Sequence, residues 1–119
     1  MSEKIAFVGI GNMGLPMAKN LMNSGKKVKV FDVSSSMIDK AKKENLNTVE
    51  NIDSLIEKDL SFVITMLPEG KNSEDVYLGE KGIIKKVSKN CLLIDCSTID
   101  IETSIKIGKK AQEEKIKMI

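Results

Sequence analysis

The stretch IAFVGIGNMGLPMAKNLMNSG, residues 5–25, runs from an apolar segment into a helix-like pattern and puts three glycines at the joint. Gly9, Gly11 and Gly14 keep the spacing G-x-G-x-x-G. Ordinary turn residues could connect a strand to a helix without giving up so much side-chain surface, and glycine costs more backbone entropy than any of them. Three in this place imply that bare backbone is needed there.

Outward from that joint, apolar β-branched runs alternate with amphipathic segments, the pattern of a βαβ series and of a parallel sheet covered on both faces. It predicts strands over Lys4–Val8, Val28–Phe31, Ser61–Met66 and Cys91–Asp95, with a short one near Thr48 and Val49. Helices are predicted over Met13–Ser24, Ser36–Glu44, Ile52–Lys58 and Ile101–Glu114, with a short one at Asp75–Leu78. Met13, Met17 and Leu21 recur at four-residue spacing as a sheet-facing stripe, and Ile101, Ile105 and Ile107 give the last helix its apolar positions. Gly25 suits the C-cap of the first helix, and Pro16 its first turn. The segment GEKGIIKKVSKN reads as a helical turn and loop, and the final KMI as the start of another strand. The expected fold class is α/β, a doubly wound, mostly parallel sheet.

Composition narrows the function. With 41% hydrophobic and 30% charged residues and no low-complexity tract, 119 residues suit one soluble domain with a single core. Nineteen lysines, no arginine and 17 acids leave a net charge of +2, too small a field to attract nucleic acid. No apolar run approaches the ~20 residues of a membrane span. MSEK leads straight into a strand with no visible signal peptide, so a cytoplasmic protein is expected, or a mitochondrial-matrix one if a presequence was removed. Cys91 and Cys96, five residues apart in an extended run, point to opposite faces and do not pair. With no histidine, the chain holds no Ser-His or Cys-His pair, and a zinc site would need unusual ligands, so no metal is expected.

The glycines sit where strand one becomes helix one, the context that gives an otherwise common motif its meaning. In a dinucleotide-binding turn the first glycine (Gly9) permits the tight turn and the second (Gly11) lets the backbone approach a pyrophosphate. The third (Gly14) lets helix and strand pack closely. Phosphate charge then meets free N–H groups at the positive end of the helix dipole. Asp32 ends the second strand 18 residues beyond Gly14, where a carboxylate reaches the adenosine ribose of NAD and repels the 2′-phosphate of NADP. A capping role for the following helix is the alternative, one that Ser34, Ser35 or Ser36 could also fill.

The segments GIGNMGLPMAKNLMNSG, FVITMLP and YLGEKGIIKKVSKNCLLIDCSTID resemble, nearly in order and spacing, the β-hydroxyacid dehydrogenase family, over essentially the whole chain. The resemblance implies a Rossmann-like NAD-binding domain over residues 1–119, incomplete at its C-terminal edge. Gly9, Gly11, Asn12, Met13 and Gly14 would form its cofactor loop. It further implies that Leu67 and Pro68 line the cofactor, with Asn72 as a further contact, and that the D-x-S-T signature places Ser97 and Thr98 where cofactor and substrate meet. In the family a glycine-rich substrate loop, a proton-donating lysine and a helical second domain follow; none is expected within these residues, so no catalytic residue is assigned here. The implied whole enzyme is a homo-oligomer that oxidises a small 3-hydroxy acid with NAD. A sibling acting on another semialdehyde or on glyoxylate, and a non-catalytic dinucleotide-binding module, remain open. Ser97, Thr98 and Asp100 are also the residue types that cap a helix, and scattered Lys71, Lys81, Lys85 and Lys86 are given no role.

Overall fold

The strand at the centre of the molecule is buried on both faces: Ile5, Ala6, Phe7 and Val8 are each at most 3% exposed. That is the state of a parallel strand with neighbours on either side and helices above and below. The computed structural model describes residues 3–57, 59–67, 76–78, 82–96 and 101–119, without the side chain of Asn12. Over these the chain runs β1 (Lys4–Val8), α1 (Gly11–Asn23), β2 (Lys27–Phe31), α2 (Ser35–Lys43), β3 (Asn47–Thr48), α3 (Ile52–Leu55), β4 (Phe62–Thr65), α4 (Ile83–Lys86), β5 (Leu92–Asp95), α5 (Ile101–Glu113) and β6 (Lys117–Met118). A short helical stretch at 76–78 lies between β4 and α4. The strands form one sheet in the order β3-β2-β1-β4-β5-β6, and every pair is parallel.

Side-chain alternation divides the core in two. Ile5 and Phe7 join Val28 and Val30 beneath Ala18 of α1 and Ala41 of α2. Ala6 and Val8 face the other way, with Val63 and Leu93 against Leu55, Tyr77 and Ile107. The three long helices end alike: Gly25, Asn45 and Lys115 take positive φ, and the next N–H returns to the carbonyl of Leu21, Ala41 and Ala111 respectively. Each such end turns the chain sharply into the following strand.

The register sets the strand ends level. Val8 lies opposite Phe31 on one side and Thr65 on the other, and Thr65 lies opposite Asp95. Gly9, Asp32, Met66 and Cys96 therefore leave the sheet along one edge. Between β1 and β4 on that edge the connections diverge, to β2 on one side and β5 on the other. In open α/β sheets, ligands bind in such a crevice.

Four expectations need correction. The first helix begins at Gly11, not Met13, so Pro16 is its sixth residue; its missing N–H leaves the Asn12 carbonyl without the usual i+4 donor, and its exposed position lets the ring face water. Met13 is 70% exposed and does not face the sheet, because the first turn of α1 stands beyond the ends of the strands. The helix from Ile52 stops at Leu55, since Ile56 turns to extended backbone. Glu57 then pairs with Lys4 and Lys29, and Asp59 with Lys4. Those partners hold both carboxyls below their usual range: the hydrogen bond from Lys29 acts most on Glu57, and that from Lys4 most on Asp59. In α5 only Ile107 of the three isoleucines is buried; Ile101 and Ile105 border an open groove beside β6.

Candidate functional site

The three glycines do different work. Gly9 has φ +84, and a Cβ there would lie 2.4 Å from the carbonyl oxygen of Met66. Its N–H donates to the Phe31 carbonyl, so the turn is clamped between β2 and β4. At Gly14 a Cβ would lie 2.8 Å from the Gly9 carbonyl oxygen and 3.1 Å from the Phe7 ring, so this glycine sets how closely α1 sits on the sheet. Gly11 has φ +50, and among the described residues nothing lies within 4 Å of where its Cβ would be. No described neighbour excludes a side chain there, and the position lies at the start of α1.

At that helix start the Ile10 N–H meets the Asp32 carboxylate, and the helix supplies no cap of its own. Ile10 occupies the N-cap position and offers no side-chain cap, and the first turn holds no acidic residue. By contrast, Ser34 accepts from the Met37 N–H at the start of α2, and Asn51 accepts from the Ser54 N–H at the start of α3. A thirteen-residue helix left uncapped beside an open cradle suits an anion, which completes its orphan N–H groups and meets its dipole.

Asp32 is half-buried between the glycine loop and α2. Its carboxylate accepts from the Ile10 N–H at 2.8 Å and from the Ser34 N–H at 2.9 Å. The two roles weighed from the sequence, ribose acceptor or helix cap, are thus not the full choice. Ser34 caps α2, and Asp32 braces the glycine loop against the end of β2. An ionised carboxylate has about four acceptor sites, so two remain for hydroxyl donors in front of the loop. Val33, 92% exposed, stands beside it; a lone valine after an acid gave no signal in the sequence.

Leu67 is 8% exposed and packs into the core under Gly9, so its side chain shows little surface to a ligand. Cys96 is exposed at the strand edge and Cys91 is buried; both thiols are free. Burial pushes the Cys91 thiol up to about 11. Pro68, Asn72, Ser97 and Thr98 lie outside the described residues. Sequence reading missed Thr65 and Tyr77, both fully buried and hydrogen-bonded to each other. The available signal was weak: the chain's single tyrosine, twelve residues beyond Thr65.

The whole described fold from β1 onward, residues 4–119, matches the NAD-binding domain of 6-phosphogluconate dehydrogenase. The chain belongs to this NAD-binding family. The NAD-binding domain is 42% identical over 113 residues to the 3-hydroxyisobutyrate dehydrogenase of Pseudomonas aeruginosa, covering 90% of this chain and 36% of that protein. It is 40% identical over 109 residues to the mitochondrial 3-hydroxyisobutyrate dehydrogenase of Mus musculus, covering 92% and 32%. It superposes on the 3-hydroxyisobutyrate dehydrogenase of Mycobacterium tuberculosis, solved with L-serine, with a TM-score of 0.88 at 28% identity, over 99% of this chain and 39% of that one. The NAD-binding domain therefore spans about a third of the length of the curated relatives it matches. Among the described residues no helix is long and apolar enough to cross a membrane.

Proposed function

We propose that these 119 residues form one dinucleotide-binding domain, the cofactor part of an NAD-dependent 3-hydroxyisobutyrate dehydrogenase of valine catabolism. The whole enzyme interconverts 3-hydroxyisobutyrate and methylmalonate semialdehyde, as a homo-oligomer in the cytoplasm or mitochondrial matrix. The observation that carries the reading is Gly11: a left-handed glycine that no described neighbour requires, at the start of α1, which has no side-chain N-cap. Backbone N–H groups at the start of α1 would hold the pyrophosphate, and Asp32 would accept from the adenosine ribose. Pro68, Asn72 and Thr98 hold the nicotinamide end, with the buried Leu67 supporting it from beneath, and Ser97 and Thr98 meet the substrate. Bound nicotinamide supplies the hydride acceptor. This chain's own residues bind and orient, and none of them is assigned the substrate's hydroxyl proton.

Gly11→Asp tests the reading, because Asp tolerates left-handed backbone and an acid in the first turn of a helix is stabilising. The melting temperature should hold or rise while NADH affinity falls more than about 100-fold, as carboxylate and pyrophosphate repel in the same space. Undiminished NADH binding by a folded variant would make the glycine loop a turn and nothing more.

A further inference from the structure

Thr65 lies at the level where the strands end, opposite Val8 and opposite Asp95. Its hydroxyl donates to Asp95 Oδ1 at 2.9 Å and is hydrogen-bonded to the Tyr77 hydroxyl. An ionised carboxylate only accepts, so the Thr65 proton is committed to Asp95, and the Thr65 oxygen must accept from Tyr77. The chain of bonds therefore has one direction: Tyr77 O–H to Thr65 Oγ1, and Thr65 O–H to Asp95. Tyr77 and Thr65 are both 0% exposed. Burial also pushes the Tyr77 hydroxyl above its ordinary range, which keeps its proton in place at any physiological pH.

The same level carries a backbone tie, the Cys96 N–H donating to the Thr65 carbonyl at 2.8 Å. One residue beyond Thr65 is the Met66 carbonyl that Gly9 packs against, and two residues beyond is Leu67 beneath that turn. Two residues beyond Asp95 is Ser97. We infer that Tyr77 is a positioning residue for the nicotinamide half of the site, fixing the exits of β4 and β5 through Thr65 and Asp95. This rests on the cofactor reading above, and it assigns Tyr77 no contact with the cofactor. The adenosine half is built on β1, α1 and β2 with Asp32, and among the described residues neither the Tyr77 nor the Thr65 hydroxyl bonds to those elements.

The test compares two probes on the 119-residue chain, NADH and ADP-ribose, which share the adenosine and pyrophosphate but not the nicotinamide. Tyr77→Phe keeps the ring in its packing and removes only the hydroxyl. NADH Kd should rise about fivefold, the effect of one lost hydrogen bond, while ADP-ribose Kd stays within about twofold. Loss of folded protein alone would weaken both probes together, and that outcome, or no change in either, overturns the inference while leaving the cofactor reading intact. Wild-type chain that binds neither probe overturns both. Thr65→Val strands the Tyr77 hydroxyl, so it should be worse than Tyr77→Phe, and the double variant Thr65→Val/Tyr77→Phe should be no worse than Thr65→Val. Additive losses in that cycle would also refute the coupled chain.

Discussion

Replacing Asp32 by Asn separates the two jobs that its carboxylate holds. In the wild type, Oδ2 accepts from the Ile10 N–H at 2.8 Å and Oδ1 from the Ser34 N–H at 2.9 Å. An amide keeps one acceptor oxygen and presents an NH2 group to the other N–H, so one charge-assisted bond is lost. Such bonds contribute about 1.5–3 kcal/mol. An unfolding entropy of about 2.1 cal/mol/K per residue gives about 0.25 kcal/mol/K for a chain of this length, so the melting temperature should fall by about 6–12 °C. Cofactor binding should change in two directions. Ribose hydroxyls that donated to a carboxylate now donate to a neutral amide, raising NAD Kd about five- to tenfold. NADP gains by the same change, because its 2′-phosphate no longer meets a negative charge. The chain has no arginine fork to receive that phosphate, so the wild type should favour NAD. Thermal unfolding with calorimetric titration of both cofactors measures each part. A melting temperature within about a degree of wild type would refute the brace. Equal NAD and NADP affinities in the wild type, or a ratio unmoved by Asp32→Asn, would remove Asp32 from the ribose.

Gly9→Ala should be far more damaging to folding than Gly11→Asp, because a Cβ 2.4 Å from the Met66 carbonyl at φ +84 combines a backbone clash with left-handed strain. The expected loss is about 3 kcal/mol or more, read as a urea midpoint shift with unchanged m-value; a shift under about 1 kcal/mol would mean the turn relaxes freely. Alkaline pH should destabilise the fold through Cys91, whose thiol has an ordinary value of 9.0 when unfolded and is pushed up to about 11 by burial when folded. A folded pKa raised in this way gives stability that is complete below 9.0 and lost as pH rises toward about 11. From pH 8 to 10 the wild type should lose about 1 kcal/mol more than Cys91→Ala, and equal slopes would show that this thiol does not resist ionisation.

The sheet was legible because its signals are local. β1 coincides with the predicted strand, β2, β4 and β5 fall within one or two residues of theirs, and KMI is indeed the start of β6. Helix details were less so. Met13 fits the four-residue stripe of Met17 and Leu21, but period alone does not say that the first turn of α1 overhangs the sheet. Ile101 and Ile105 likewise share a helix with Ile107 while only Ile107 meets β-sheet side chains beneath it. Helix α3 ended early because Glu57 and Asp59 find lysine partners on β1 and β2, far away in sequence. The roles of Gly9 and Gly14 followed from spacing and are matched by the close approaches of Met66 and Phe7. Spacing singled out Asp32 as a candidate ribose acid, yet its bonds to Ile10 and Ser34 could not be read, since backbone N–H groups leave no trace in a sequence. The buried partnership of Tyr77 with Thr65 left only a weak sequence trace for the same reason that α3 was misjudged: tertiary contact decides it.

What distinguishes the start of α1 is that two local choices there run against stability together. A helix N-terminus without a cap forgoes about 1 kcal/mol that a Ser, Thr, Asp or Asn would contribute, and this chain does place such residues at the starts of α2 and α3. A glycine held at φ +50 with no described residue crowding its Cβ position gives up unfolded-state constraint and side-chain contacts that Asn or Asp could supply in the same conformation. Gly9 and Gly14, by contrast, are forced by their neighbours and say nothing about a ligand. Departures from the locally best sequence gather at functional sites, and here both meet at one turn, between Gly11 and the N–H groups of α1, on the strand-end edge beside Asp32. An anion bound at that point restores what both choices give up, so saturating NADH should stabilise wild type strongly and Gly11→Asp hardly at all.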